Sequence, residues 1–228
     1  FHTAVLLGNG LVLIAGGSDN AGKTTNSAQI YNPQTGAYSA TGSMVVSRDW
    51  HSATLLPDGR VLIAGGRTSA GNSYTYAAAA EIYNPATGVF SATGSMDVAR
   101  FGHAAALVDG KVLIAGGANT NTAAALSSAR LYDPATGTWS AAGAMNTARR
   151  NFTATALNAT VLAIGGFDGA TTHRGSELFQ GGAFGAGANM ITPRLAHKAT
   201  VLSDGSVLVA GGEGGGGMQL ATAELYAR

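Results

Sequence analysis

The chain has 228 residues, 46% of them hydrophobic and only 11% charged, with a net charge of +1 and no cysteine. So weak a net charge gives no long-range field to gather nucleic acid or an acidic membrane surface. The lack of cysteine excludes disulfides, thiolate metal sites and a cysteine nucleophile.

From the N-terminus, HTAVLLGNGLVLIAGG reads as two short apolar strands joined by a glycine-bearing turn. Gly17, Gly22, Lys23 and Thr24 then fit G-x-x-x-x-G-K-[ST], the loop that cradles nucleotide phosphates. That loop works by handing the phosphates to a helix N-terminus, yet the following NSAQIYNP reads as a strand. Later in the chain the same place is held by the unrelated connectors GRTSAGNSY, GANTNTAAA, GFDGATTHR and GEGGGGMQL. The match is read as coincidence, and no nucleotide is expected. A Pro/Thr/Gly turn and a short outer strand complete the first unit.

The pattern then recurs. Glycine doublets close an apolar run at Gly16-Gly17, Gly65-Gly66, Gly116-Gly117, Gly165-Gly166 and Gly211-Gly212, in steps of 49, 51, 49 and 46 residues. Tyr31, Tyr83, Tyr132, Phe179 and Tyr226 form one aromatic column, and Met44, Met96, Met145 and Met190 follow in phase. His2, His51, His103 and His197 open their units, with Thr153 in that place in the fourth. Each unit predicts a four-stranded antiparallel sheet that cannot bury both faces unless it stacks on neighbours around an axis. The expected fold is an all-β propeller in one domain over 1–228. Its units span about 1–46, 47–98, 99–147, 148–192 and 193–228, the last without an outer strand.

The doubled glycine, the aromatic column and the turn between third and fourth strands together resemble the kelch repeat. The bacterial form and the propeller of galactose-oxidase-like proteins are nearest in style. The resemblance covers essentially the whole chain and implies a binding scaffold. Two stretches depart from the family pattern: FQGGAFGAG in the fourth unit, and the fifth unit, which ends before its outer strand. The copper-radical chemistry of the oxidases needs a tyrosine cross-linked to cysteine, so no such cofactor is expected. A glycosidase would need paired carboxylates, and Asp19, Asp49, Asp97, Asp168 and Glu213 form no evident pair.

The glycines and the aromatic column read as architecture, and the histidines as neutral groups bonded within their own blades rather than as metal ligands. Arginines stand three residues before each unit's opening marker, at Arg48, Arg100, Arg150 and Arg194. They have two readings: forks onto carbonyls and carboxylates of the adjacent blade, with Glu81, Glu177 and Glu224 as partners, or a positive rim around a channel mouth. Short regular turns occupy one side of the fold, and variable loops the other. The ligand-binding candidates on the variable side are Arg48, Trp50, Tyr74, Tyr76, Arg100, Phe101, Arg149, Asp168, His173, Arg174 and Arg194. The function expected is non-catalytic recognition of a protein or glycan, with no metal or cofactor. The alternatives are a glycan-active hydrolase or lyase using the same face, or a structural module of a larger extracellular protein. Scarce lysine and abundant Gly, Ala, Thr and Ser point to a secreted protein. The seam between first and fifth units is expected to be incomplete, as in a piece of a longer chain, leaving an edge at which the chain could self-associate. No transmembrane helix is expected, since no apolar run reaches 18 residues.

Overall fold

The structure, a computed structural model, describes residues 1–70, 73–121 and 124–227. The chain adopts a five-bladed β-propeller fold with no α-helix among the described residues. Its residues group into two compact units, Phe1–Phe101 with Asp133–Trp139, and Gly102–Tyr132 with Ser140–Arg228.

The first unit holds two blades. Strands β1 (Thr3–Leu6), β2 (Val12–Ala15), β3 (Ala28–Asn32) and β4 (Ala37–Ala40) pair in sequence order to make the first. The second contains β5 (Ser52–Leu55), β6 (Val61–Ala64), β9 (Ala80–Asn84) and β10 (Val89–Thr93), ordered β10-β9-β6-β5. Between β6 and β9 an additional antiparallel ribbon rises, β7 (Arg67–Ala70) with β8 (Ser73–Tyr76). This ribbon replaces the plain connector expected there. The alternation of Ser and Thr with Tyr in SYTY suits a strand.

The second unit carries the third, fourth and fifth blades. The third runs β11 (Ala104–Val108), β12 (Lys111–Ala115), β13 (Ala129–Asp133) and β14 (Thr138–Ala142), with the 133–139 turn counted in the first unit. The fourth runs β15 (Thr153–Leu157), β16 (Thr160–Ile164), β17 (Ser176–Gln180) and β18 (Ala183–Ala186). The fifth has three strands among the described residues, β19 (Lys198–Val201), β20 (Val207–Ala210) and β21 (Ala223–Tyr226).

Burial follows from stacking. A strand covered on one face alternates, and β2 does so; a strand covered on both faces reads as an unbroken apolar run, and all residues of β6 and β16 are buried. In the first unit Leu13 and Ala15 of β2 share a core with Val61 and Ile63 of β6. In the second unit Leu113 packs with Val161 and Phe179, and Ile164 with Val207 and Val209. The aromatic column is paired across the outer hairpin: Tyr83 opposes Phe90 and Phe179 opposes Phe184, with ring centroids 4.7 and 5.0 Å apart.

The glycine doublets are a steric requirement. Gly165 has φ +69°, and a Cβ there would lie 2.5 Å from the Arg194 carbonyl and 2.6 Å from His197 Cε1. The other four doublets share the positive φ at both residues. At Gly165, as at Gly16 and Gly116, no side chain fits where the next blade's incoming segment crosses so closely.

Candidate functional site

The residues that join blades explain why arginine recurs. Arg48, on the segment leaving the first blade, donates from Nη1 to the carbonyls of Gly65 (2.7 Å) and Ala79 (3.0 Å), and from Nη2 to Glu81 Oε1 (2.7 Å). The same carboxylate accepts the amides of Val45 and Val46 at 2.6 and 3.0 Å. In the second unit Arg149 repeats this set with Gly165, Gly175 and Glu177, and Arg194 repeats it with Gly211, Thr222 and Glu224. Glu177 takes the amides of Asn146 and Thr147, and Glu224 those of Ile191 and Thr192. Burial lowers the pKa of Arg48 and Arg149, and the facing carboxylate of Glu81 or Glu177 works against that shift. Burial would raise Glu224, but hydrogen bonds from Ile191, Arg194 and Thr192 hold it below the usual carboxylate range.

Arg48, Arg100, Arg149 and Arg194 are each no more than 1% exposed. They therefore form no cationic rim; a guanidinium this deep needs fixed acceptors more than it can serve a ligand. The phase of the fourth unit also needs correcting. Arg149, not Arg150, is the equivalent of Arg48, and Phe152, not Thr153, stands where His51 and His197 stand. The ring of Phe152 contacts the first doublet glycine there as those imidazoles do. Two of the histidines, moreover, bond to the preceding blade rather than their own. His51 Nε2 lies 2.9 Å from Thr3 Oγ1, and His197 Nε2 lies 3.0 Å from Thr153 Oγ1. Burial, then the charges of Arg194 and Lys198, lower the His197 pKa to about 4, so this ring is neutral at pH 7. No group of three His, Asp or Glu side chains suited to a metal occurs among the described residues.

The P-loop-like segment does not have P-loop geometry. Strand β3 follows it, and its amides are consumed inside the protein. Ala21 and Lys23 donate to Asp19 Oδ1, Gly22 to the Asp19 carbonyl, Thr24 to Ser69 Oγ and Thr25 to the Gly17 carbonyl.

Variation begins one residue beyond each buried arginine. That residue bridges to the one following the glycine doublet: Asp49 to Arg67 in the first unit, Arg150 to Phe167 and Leu195 to Glu213 in the second. The same backbone frame thus presents an ion pair, a cation–π pair and a mixed pair. Arg150 lies 5.4 Å from the Phe167 ring centroid.

In the first unit these positions build a layered cluster. Arg67 grips the fully buried Asp49 with Nε at 2.8 Å and Nη2 at 3.3 Å. Its guanidinium lies 4.0 Å over the Tyr74 ring and 5.9 Å from that of Phe101, and Phe101 stacks on Tyr76 at 5.2 Å. Tyr74 donates its hydroxyl to the Gly22 carbonyl at 3.4 Å, and Thr68 to that of Ser47 at 2.6 Å, tying the ribbon to the first blade. Trp50 stands apart, stacked on Phe1 at 4.1 Å with a left-handed φ of +53°. Arg67 was absent from the sequence candidates; its signal is its place directly after a doublet and before the tyrosine-rich SYTY.

In the second unit, His173 Nε2 sits 3.1 Å from Asp168 Oδ2, while Asp168 Oδ1 accepts the amides of Ala170 and Thr171 at 2.7 Å. Those bonds, led by Thr171, hold Asp168 below the usual carboxylate range. Arg174 is exposed beside this loop.

A family model described as the KLHDC2/KLHL20/DRC7 Kelch-repeats domain matches residues 1–180. No curated protein matches the sequence. Among solved structures, the chain is similar to one titled "Structure of YjhT", with a TM-score of 0.84 and 16% identity, covering 98% of this chain and 80% of that one. At that identity the likeness is one of fold.

Proposed function

Because the chain belongs to the kelch-repeat family, we propose that it is a non-catalytic binding scaffold whose partner is a protein, seated on the ribbon of the second blade. One observation supports this reading above the rest: the Tyr74–Arg67–Phe101–Tyr76 layer, backed by buried Asp49. Arginine and tyrosine dominate the hot spots of protein interfaces. Here they are already stacked and hydrogen-bonded, so binding would cost little additional side-chain order. One Tyr74 face is covered by the guanidinium at 4.0 Å, which favours a protein surface over a sugar ring stacked on tyrosine.

Peptide-display selection against the immobilised chain, followed by calorimetry with the selected sequences, tests this. Arg67→Lys keeps the charge but loses the flat bidentate fork; it and Tyr74→Ala are each expected to weaken binding about tenfold or more. Thr87→Ala, on the regular turn after β9, is expected to leave it unchanged. Equal affinity in all three variants would move the site off the ribbon.

A further inference from the structure

The ribbon layer offers a partner less charge than its arginine suggests. Arg67 spends Nε and Nη2 on Asp49, and one face of its guanidinium lies over the Tyr74 ring. Tyr74 gives its hydroxyl proton to Gly22, and Thr68 gives its own to Ser47. The donor left in the Tyr74–Arg67–Phe101 stack is Nη1 of Arg67. It makes no hydrogen bond among the described residues, and its side chain is 16% exposed.

That edge is electrically balanced from beneath. Asp49 is fully buried and faces the guanidinium at 2.8 Å, so the pair sums to zero. A partner carboxylate reaching Nη1 would meet the Asp49 charge nearly as closely as the arginine's, where little water screens it. Nor could it form the bidentate fork that makes arginine–carboxylate pairs strong, since Nε and Nη2 are taken. The neighbouring connector adds no net charge: Asp19 and Lys23 are both exposed on it and cancel in sum. In the second unit, Arg150 holds the place of Asp49 in the frame, and its guanidinium stands over Phe167 with no ion pair among the described residues. An uncompensated arginine therefore looks different from Arg67.

We propose that Asp49 sets the specificity of the ribbon site, making it a receptor for an uncharged, acceptor-rich stretch of polypeptide. The inference rests on the ribbon being the binding site. A backbone carbonyl, or the side-chain oxygen of an asparagine or glutamine, accepts from Nη1 without bringing a second anion beside Asp49. Asp49 thus has two effects: it holds Arg67 in place, and it repels acidic segments that a bare arginine would attract. Because the opposite charges are already paired within the protein, association gains little from long-range steering and depends little on salt.

The test uses a random peptide library displayed on phage, selected in parallel on the full natural chain and on Asp49→Asn. Clones that lose binding to Tyr74→Ala are the ribbon-directed ones. On the natural chain these are expected to be poor in aspartate and glutamate. Their affinity should change by less than about twofold between about 50 and 500 mM sodium chloride. Exchanging a contacting glutamine or asparagine of such a peptide for its acid should weaken binding about tenfold. Asp49→Asn keeps the shape but leaves the Arg67 charge uncompensated, so its clones should be acid-rich and lose about tenfold in affinity over the same salt range. Ribbon-directed clones that need an acidic residue on the natural chain, that weaken tenfold with salt, or that have the same composition on both proteins would overturn the proposal while leaving the ribbon as the site. Clones that all ignore Tyr74→Ala would overturn the ribbon reading, and this inference with it. If Asp49→Asn does not fold, the salt range and the amide-to-acid exchange on the natural chain decide.

Discussion

Glu81 meets Arg48 at 2.7 Å with neither side chain more than 1% exposed, and its two oxygens also take the amides of Val45 and Val46. One carboxylate of the second blade thus holds both the guanidinium and the backbone of the segment arriving from the first. Its role is to fix the blade junction. Breaking one half of such a pair leaves a buried charge without its counterion, which costs about 3–5 kcal/mol. Glu81→Ala is therefore expected to lower stability by about that amount in urea unfolding. The double variant Arg48→Met/Glu81→Ala should lose less than the sum of the two single losses. Additive losses would mean the two groups act independently.

The glycine doublets permit a test that separates backbone strain from crowding. Gly36 has φ +70° and open space around its missing Cβ, whereas Gly165 has φ +69° and the Arg194 carbonyl 2.5 Å from that point. Gly36→Ala is expected to cost about 1 kcal/mol, the left-handed penalty alone. Gly165→Ala should cost about 2 kcal/mol or more beyond that, because the crossing segment must shift. Equal costs in chemical denaturation would refute the close approach.

Acid should weaken the junction between fourth and fifth blades through His197. Its folded pKa of about 4 lies below the ordinary 6.5 of a free imidazole, so the unfolded chain binds the proton more tightly. Stability is then fully present above pH 6.5 and is lost progressively as pH falls towards 4, by on the order of 3 kcal/mol. Thermal melts of the natural chain and His197→Gln across this window should converge as pH drops. A constant gap between the two would show that this histidine does not carry the proton linkage.

Much of this architecture was legible in the sequence because each blade needs the same few residues. The doublets, the aromatic column and the turns kept phase over the whole chain, which located the strands and exposed the P-loop match as a connector. What failed was local. In RRNF the repeated arginine sits beside a second arginine and the expected histidine is phenylalanine, so the fourth unit was aligned one residue late. The β7–β8 ribbon was missed because its strands have only four residues each and lie inside a segment whose length varies between units. The arginines had the correct partners in one of their two readings, but sequence carries no depth, and only burial separates a junction from a rim. Arg67 escaped notice for the opposite reason: it occurs once, and its meaning depends on Asp49, 18 residues earlier, lying beneath it.

The bridging positions should accept exchange where the buried latch does not. Glu213, bridged to Leu195 in the second unit, is expected to tolerate Gln with less than about 0.5 kcal/mol change, as ordinary surface positions do. Glu224→Ala, on β21, should cost several times as much because it strands Arg194. Comparable losses on denaturation would place both residues in the same structural role.

The most direct test of the binding account is hydrogen exchange on the full chain with and without a protein ligand obtained by display selection. The account predicts slowed exchange at residues 67–70 and 73–76 and at Asp49 and Phe101, with the regular turns at 85–88 unchanged. Protection confined to those turns, with the ribbon exchanging as in the free chain, would contradict it.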